Sequence, residues 1–172
     1  MAEWKYLYSE PFHVRGVIAA HYLQDCPNII EIGSYKVPIT DFLTHRFEQA
    51  VCVDPLTQPR NKGRVLHARE DYRFFDFKPF LQRPFGLVLL GMDLPFDFKL
   101  FHLAASARRV IVEFPPKHGP SRVQFEILRK AANLQIDLNV GIDLTENDFG
   151  DLSDSSPVFS ERRLYVLSPF NL

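Results

Sequence analysis

Short apolar runs of strand length alternate with segments of helical spacing along most of the chain, and this alternation restricts the fold more than any other feature. Continuous apolar strands are typical of a sheet that is covered on both faces, and helical connections are typical of parallel strands. The last two runs have no helical segment between them, so we expect them to pair antiparallel at one edge. The alternation predicts an α/β sandwich with a mainly parallel sheet of seven strands, in the runs 28–33, 50–55, 64–68, 85–91, 109–114, 134–144 and 163–167.

The segments between these runs have helical spacing. Proline suits the first turn of a predicted helix over 38–47, in which Ile39, Leu43 and Phe47 share one face. The other predictions are a helix over 9–24, a helical turn over 76–82 and a helix over 97–107, with loops over 55–63 and 145–160.

A capping box predicts one more helix, after the fifth strand. Residues 121–124 carry the serine and the glutamine of that motif, three positions apart. We expect Val123, Ile127 and Leu128 to form the apolar face of this helix.

Composition bounds the class of protein. The chain has 172 residues and a formal charge of −1, with 46% hydrophobic and 24% charged residues. These values are typical of one soluble globular domain, here over 1–172, and they exclude long disorder. The near-neutral charge argues against a dedicated nucleic-acid-binding protein. No signal peptide is visible, and the longest uncharged apolar stretch, 85–92, is far shorter than the ~20 residues of a membrane span.

Cys26 and Cys52 are the only cysteines, and neither belongs to a CxxC motif or to a Cys/His cluster with zinc spacing. Two cysteines cannot build a disulfide framework. We therefore expect two reduced, mostly buried thiols, no metal site and a cytoplasmic protein.

Two residue types mark the ends of the first two strands. Gly33 ends the first strand shortly after Glu31, and Asp54 ends the second about 20 residues later. Open α/β sheets bind ligands at the carboxyl ends of their strands, so these residues predict a crevice of cofactor size. Each also has a structural interpretation, because Gly33 can simply end a strand and Asp54 before Pro55 is an ordinary turn.

The strand order and these residues resemble the class I S-adenosylmethionine-dependent methyltransferase fold, a Rossmann-like three-layer sandwich whose last strand is antiparallel. In that family the first strand ends in an acidic-x-Gly-x-Gly-x-Gly motif, which is matched here by residues 31–37. Glu31 and Gly33 agree with the motif, whereas Tyr35 and Val37 stand at the second and third glycine positions. Bulky side chains at these positions hinder close approach of the backbone to a ligand, so the motif is degenerate.

The resemblance implies S-adenosylmethionine as cofactor and S-adenosylhomocysteine as product. It also implies a loop bordering the reacting methyl group, which the stretch 91–96 matches in part. Asp93 of this loop is the candidate general base, or alternatively a cap of the following helix. The implied cofactor residues are Glu31, Gly33, Ser34 and Tyr35 near methionine, Asp54 at the ribose, Glu70 or Asp71 near adenine, and Gly91 near the methyl group. Phe96, Lys117 and His118 are placed to meet a substrate or partner, although for the last two a solvated surface loop is the alternative.

Two kinds of function follow from the resemblance. The first is methyl transfer to an unidentified acceptor. The second is an inactive relative that serves as a protein-binding or regulatory subunit, because the motif is degenerate and the chain leaves little room for a substrate domain. An aromatic surface would then engage a second copy or another protein, through Phe74, Phe75, Phe96 and Phe98. A nucleotide- or sugar-binding α/β enzyme is a third possibility, although no Gly-Lys-Ser/Thr follows a strand.

A basic and aromatic cluster over 60–75 raises the question of nucleic acid. Glu70, Asp71 and Asp76 interrupt it, which favours a salt-bridged surface over a stacking platform. RNA ribose methyltransferases use a Lys-Asp-Lys-Glu set, in which Asp93 fits the aspartate, whereas Glu113 stands where a lysine is expected. Lys117 lies too far along the chain to replace that lysine, so this variant of the family is disfavoured.

Overall fold

A mixed sheet flanked by helices forms the framework in a computed structural model, which describes residues 10–33, 38–43, 47–56, 59–90, 97–143 and 161–170. The helices are α1 (Glu10–Tyr22), α2 (Phe98–Ser106) and α3 (Gly119–Ala131), with 3-10 turns at Ile39–Phe42 and Lys78–Phe80. The strands are β1 (Asn28–Ile32), β2 (Gln49–Val53), β3 (Arg60–Lys62), β4 (Val65–Ala68), β5 (Phe85–Leu90), β6 (Arg109–Phe114), β7 (Leu134–Asp143) and β8 (Glu161–Pro169).

The strands lie in the order β3-β4-β2-β1-β5-β6-β8-β7. β1 pairs in parallel with both β2 and β5, so the chain builds outward from β1 on one side and from β5 on the other. This is a topological switch point, the place where open α/β sheets form their ligand crevice. β8 is antiparallel to both β6 and β7. The predicted α/β class, with a mainly parallel sheet and an antiparallel last strand, is confirmed.

The structure adds one strand to the seven predicted. β3 lies within the predicted loop 55–63 and pairs antiparallel with β4. The two strands are joined at Gly63, whose φ of 61° is a conformation that glycine adopts without strain. β3 was missed because its three residues are all polar and give no apolar run.

The predicted helix over 38–47 is wrong. The described part of this segment holds only the short 3-10 turn, and Pro38 before it is extended with ψ of 136°. The turn stays short because the side chain of Thr40 points inward to partners in the sheet, as described below.

α3 begins at Gly119, two residues before the predicted capping box, with Pro120 in its first turn. Ser121 is therefore a buried helical residue and not a cap. The apolar face is also different from the prediction: Leu128 is buried as expected, but Val123 and Ile127 are exposed.

Two apolar clusters cover the opposite faces of the sheet. Ile30 and Leu87 belong to the cluster that also contains residues of α2 and α3. Val88 belongs to the other cluster, which contains Leu23 near α1 and Ile39 of the 3-10 turn. Successive strand residues thus enter different layers, which explains why the strands read as continuous apolar runs. Within the described helices, none is long and apolar enough to cross a membrane.

Candidate cofactor site

The first loop of the crevice starts at Gly33, immediately after β1. Its φ of 81° lies in the left-handed region that favours glycine. Its N–H donates to the carbonyl of Val53, the last residue of β2, at 3.1 Å. The structure therefore brings Gly33 beside the end of β2, where Asp54 follows.

Asp54 is buried at this end of β2. Its Oδ1 accepts a hydrogen bond from the N–H of Leu56 at 2.7 Å, and its own N–H donates to the carbonyl of Ala68 at 3.1 Å. The first contact is the turn that the structural interpretation expects. A carboxylate has about four acceptor positions, so this contact does not by itself prevent a role toward ribose hydroxyls.

Glu31 is fully buried in β1 and faces the 3-10 turn. Its Oε1 accepts from the N–H of Ile39 at 2.8 Å, and its Oε2 accepts from the N–H of Thr40 at 2.8 Å and from the hydroxyl of Thr40 at 2.5 Å. Burial raises the pKa of Glu31 to about 7, against the opposing effect of these hydrogen bonds. The described contacts of Glu31 thus hold the turn, whereas the sequence prediction placed this side chain along the methionine part of the cofactor.

Glu31 is one end of a buried polar row that crosses three strands. In the parallel register Glu31 lies beside Cys52 of β2, and Cys52 lies beside His67 of β4. The Cys52 Sγ is 2.6 Å from the Thr40 Oγ1, and the His67 Nε2 is 3.0 Å from the Asp41 Oδ1. Sequence reasoning missed this row, although the signal was present: each strand carries one polar or thiol residue at a position facing the same layer.

The loop after β4 carries the two acidic residues expected near adenine. Glu70 is exposed. Asp71 accepts hydrogen bonds from the backbone N–H of Arg73 at 2.9 Å and from its Nε at 3.0 Å, and these contacts lower the pKa of Asp71. The Asp71 carboxylate is therefore engaged within its own loop.

This loop is fastened to the start of α2. Asp97 caps α2 by accepting from the N–H of Leu100 at 2.9 Å, and it also accepts from the Tyr72 hydroxyl at 2.8 Å. Lys99 donates to the carbonyls of Arg73 at 3.0 Å and Phe75 at 2.6 Å. The cap of this helix is Asp97 and not Asp93, which corrects the alternative role considered for Asp93.

Five predicted site residues lie outside the described residues, so their roles stay predictions: Ser34, Tyr35, Gly91, Asp93 and Phe96. Lys117 and His118 follow β6. Lys117 forms a 3.2 Å ion pair with Glu161, and the His118 Nδ1 is 2.7 Å from the Ser121 Oγ. Both are held by neighbouring groups at the carboxyl edge of the sheet.

The predicted aromatic surface is divided. Phe74 and Phe98 are 76% and 85% exposed, whereas Phe75 packs partly against the core, with its ring centroid 4.9 Å from that of Phe77. Phe74 lies between the two residues whose carbonyls bind Lys99, and Phe98 precedes Lys99. The two exposed rings therefore belong to the same junction of loop and helix.

Glu113 is the penultimate residue of β6, lies on the side of α1 and is almost fully buried. The Arg15 Nε of α1 approaches its Oε2 at 2.8 Å, as an ion pair without hydrogen-bond geometry, and the Arg162 Nε of β8 donates to its Oε1 at 3.0 Å. This cluster ties α1 and β8 to β6.

An open cavity of about 570 Å³ lies at the opposite edge of the sheet, around Tyr22, Arg109 and Ser168.

No model of a protein family matches the chain, and no curated protein matches it in sequence. Solved structures match it across nearly its whole length. The N-methyltransferase NodS from Bradyrhizobium japonicum WM9, solved with S-adenosyl-L-homocysteine, is 12% identical with a TM-score of 0.58, covering 96% of this chain and 91% of that one. An rRNA methylase from Streptococcus thermophilus is 8% identical with a TM-score of 0.59, covering 95% and 99%.

A third match is the 1,6-didemethyltoxoflavin-N1-methyltransferase of Burkholderia thailandensis, solved with bound 1,6-didemethyltoxoflavin and S-adenosylhomocysteine. It is 10% identical with a TM-score of 0.57, covering 95% of this chain and 80% of that one. At such identities the likeness defines the architecture. The chain has the class I methyltransferase fold.

Proposed function

We propose that the protein is an S-adenosylmethionine-dependent methyltransferase. The observation that carries the proposal is the meeting of Gly33, in its left-handed conformation, with Asp54 at the switch point of a methyltransferase fold. NodS and the 1,6-didemethyltoxoflavin-N1-methyltransferase were solved with S-adenosylhomocysteine, which supports this cofactor for the same architecture.

The described residues fit such a cofactor. Gly33 has no side chain to obstruct a ligand at the end of β1, and the Asp54 carboxylate supplies acceptors of the kind that ribose hydroxyls need. Glu70, exposed on the loop after β4, is the proposed contact on the adenine side. The cofactor supplies an activated methyl group, and the protein's task is to align the acceptor with it and to remove a proton, the role proposed for Asp93.

The acceptor side is proposed to lie around the loop and helix junction that exposes Phe74 and Phe98. These rings supply an apolar surface for an acceptor or for a protein partner, including a second copy of the chain. Arg69 donates to the carbonyl of Pro55 and Arg73 binds Asp71, so these two arginines serve internal contacts, which supports an acceptor other than nucleic acid. The two reduced cysteines support a cytoplasmic location.

The solved structures that match the chain do not favour the alternative of an inactive relative. Calorimetric titration of the protein with S-adenosylmethionine and with S-adenosylhomocysteine distinguishes an inactive relative from a methyltransferase. We expect both to bind the wild type, and Asp54→Ala to weaken binding at least about tenfold, because a charge-assisted hydrogen-bond acceptor is lost. Glu126→Ala is the control, since Glu126 is a surface carboxylate of α3 that pairs with Arg129.

Two results would count against this assignment. Absence of heat with either compound in the wild type would overturn the proposed function. Binding that Asp54→Ala leaves unchanged would retain the function and remove Asp54 from the site.

A further inference from the structure

The described residues on either side of the connection that leaves β1 are held by buried contacts. On the strand side, the Gly33 N–H is held by the Val53 carbonyl at 3.1 Å. On the far side, the N–H groups of Ile39 and Thr40 are both held by the Glu31 carboxylate at 2.8 Å. Glu31 itself lies in β1, so its side chain links the turn that follows the connection to the strand that precedes it.

We propose that Thr40, acting through the ionised carboxylate of Glu31, is a positioning residue that holds the end of this connection in its cofactor-binding arrangement and makes cofactor affinity depend on pH. The inference rests on the proposed function. It goes beyond it because neither Thr40 nor Cys52 is among the residues expected to touch the cofactor.

The direction of the hydrogen bonds supports this role. The Thr40 hydroxyl has one proton, and its 2.5 Å contact with the Glu31 Oε2 uses it, because an ionised carboxylate only accepts. The Cys52 Sγ lies 2.6 Å from the same hydroxyl and 3.8 Å from the Glu31 Oε2, to which its thiol donates. Burial raises the pKa of Cys52 well above its ordinary value, which keeps the thiol protonated and able to donate.

Protonation of Glu31 would break this arrangement. The carboxylate faces two backbone N–H groups, one hydroxyl and the Cys52 thiol, all of which donate to it. A proton on either oxygen would oppose one of these donors, and a buried donor without an acceptor is costly. The turn is therefore held best when Glu31 is ionised.

The groups around Glu31 bring its pKa into the pH range in which binding can be measured. Asp41 of the turn adds a negative charge that disfavours ionisation, and the neighbour on β5 is the apolar Val88. Asp41 is itself bound to His67 of β4 at 3.0 Å, while Arg15 of α1 is engaged with Glu113. Burial adds to the effect of Asp41 and raises the pKa of Glu31 to about 7.

The test is calorimetric titration with S-adenosylhomocysteine between pH 5.5 and 8.5. We expect the wild-type affinity to rise with pH across this range. Thr40→Val, which has nearly the same shape without the hydroxyl, should weaken binding about tenfold at the upper pH, and Thr40→Ser should restore most of the loss. Glu31→Gln should bind weakly and should lose the pH dependence that belongs to the protein. Titration of the ligand is common to both proteins, so the ratio of their affinities isolates Glu31.

Amide hydrogen exchange of the ligand-free protein tests whether the substitutions act on the turn and not on the whole fold. Amide hydrogen exchange at residues 39 and 40 should be faster in Glu31→Gln and in Thr40→Val than in the wild type, while exchange in β6 stays unchanged. If Thr40→Val does not fold, Cys52→Ala, which removes the thiol beside Thr40 and Glu31, provides a second and smaller perturbation of affinity.

The outcomes are distinguishable. Wild-type protein that binds S-adenosylhomocysteine, with Thr40→Val and Thr40→Ser both binding as tightly, would overturn this inference and leave the proposed function standing. A pH-independent ratio of wild-type to Glu31→Gln affinity would do the same. Failure of the wild type to bind would overturn both.

Discussion

Two buried carboxylates on the same face of the sheet are satisfied in different ways. Glu31 accepts from neutral donors, the N–H groups of residues 39 and 40 and the Thr40 hydroxyl. Glu113 is bound by two guanidinium groups, from Arg15 and Arg162. Neutral donors leave the charge of Glu31 uncompensated, whereas Glu113 is part of an ion cluster that joins three elements. The first arrangement suits a group that titrates, and the second suits a fixed structural connection.

The largest effect is expected from breaking the second arrangement. Glu113→Ala leaves two arginines together with little exposure, 14% and 17% of their side chains, and without their shared anion. Removing one partner of a buried ion pair costs about 3–5 kcal/mol in the free energy of unfolding. Chemical denaturation measures this loss, and Glu126→Ala, on the surface, should change stability by less than about 1 kcal/mol. A loss as small as that of the control would show that the cluster is not structural.

The next effect tests the titration of Glu31. Its pKa of about 7 in the folded protein lies above the ordinary 4.5. Between these values the folded protein binds the proton more tightly than the unfolded chain, so the contribution of Glu31 to the free energy of unfolding is greatest below pH 4.5 and falls as the pH rises to 7. The fall amounts to at most about 3 kcal/mol.

Denaturation series at pH 4.5 to 8 for the wild type and for Glu31→Gln measure this contribution as the difference between the two proteins. We expect the difference to change across this window and to be constant above about pH 7.5. Stability and cofactor affinity would then respond to Glu31 with opposite signs, since affinity rises as stability falls. Parallel curves for the two proteins would mean that Glu31 does not titrate in this range.

A smaller loss of stability is expected from a substitution that changes the packing near α1 without altering the contacts of Glu31. A Cβ at Gly86 would lie 2.5 Å from the Leu23 Cδ2, so Gly86→Ala must displace the buried side chain of Leu23, which follows α1. Overpacking of this kind costs about 1–3 kcal/mol. Because the strain acts on the α1 side, we expect lower stability with an unchanged pH dependence of cofactor binding. Gly141→Ala is the matched control, because no atom lies within 4 Å of its added Cβ.

The sheet was predictable because burial on both faces leaves continuous apolar runs, and the predicted and observed bounds of β6 agree. The site was predictable only in part. Gly33 and Asp54 follow strands, and parallel strands bring their carboxyl ends to one edge, so their meeting follows from topology. The contacts of Thr40 with Glu31 and Cys52 depend on a short turn instead of the predicted helix. Residue spacing along the chain does not indicate which buried polar groups will be in contact.

The helix errors have a similar origin. Val123 and Ile127 have the spacing of a buried face together with Leu128, but in α3 the core contains Ser121 and Phe125 beside Leu128. Because Leu128 belongs to both sets, the observed face is rotated from the predicted one by less than half a turn. Periodicity finds such a helix without determining its buried side.

The insertion of β8 between β6 and β7 has a consequence for the order in which the protein assembles. Among the described strands, β7 has β8 as its only partner in the sheet, and β8 is also the last of them in the sequence. During synthesis, β7 leaves the ribosome before β8, its partner strand, so it can pair into the sheet only after β8 has added to β6. One flank of the sheet is therefore completed in a single late step, and until then the edge of β6 stays open to pairing with another chain.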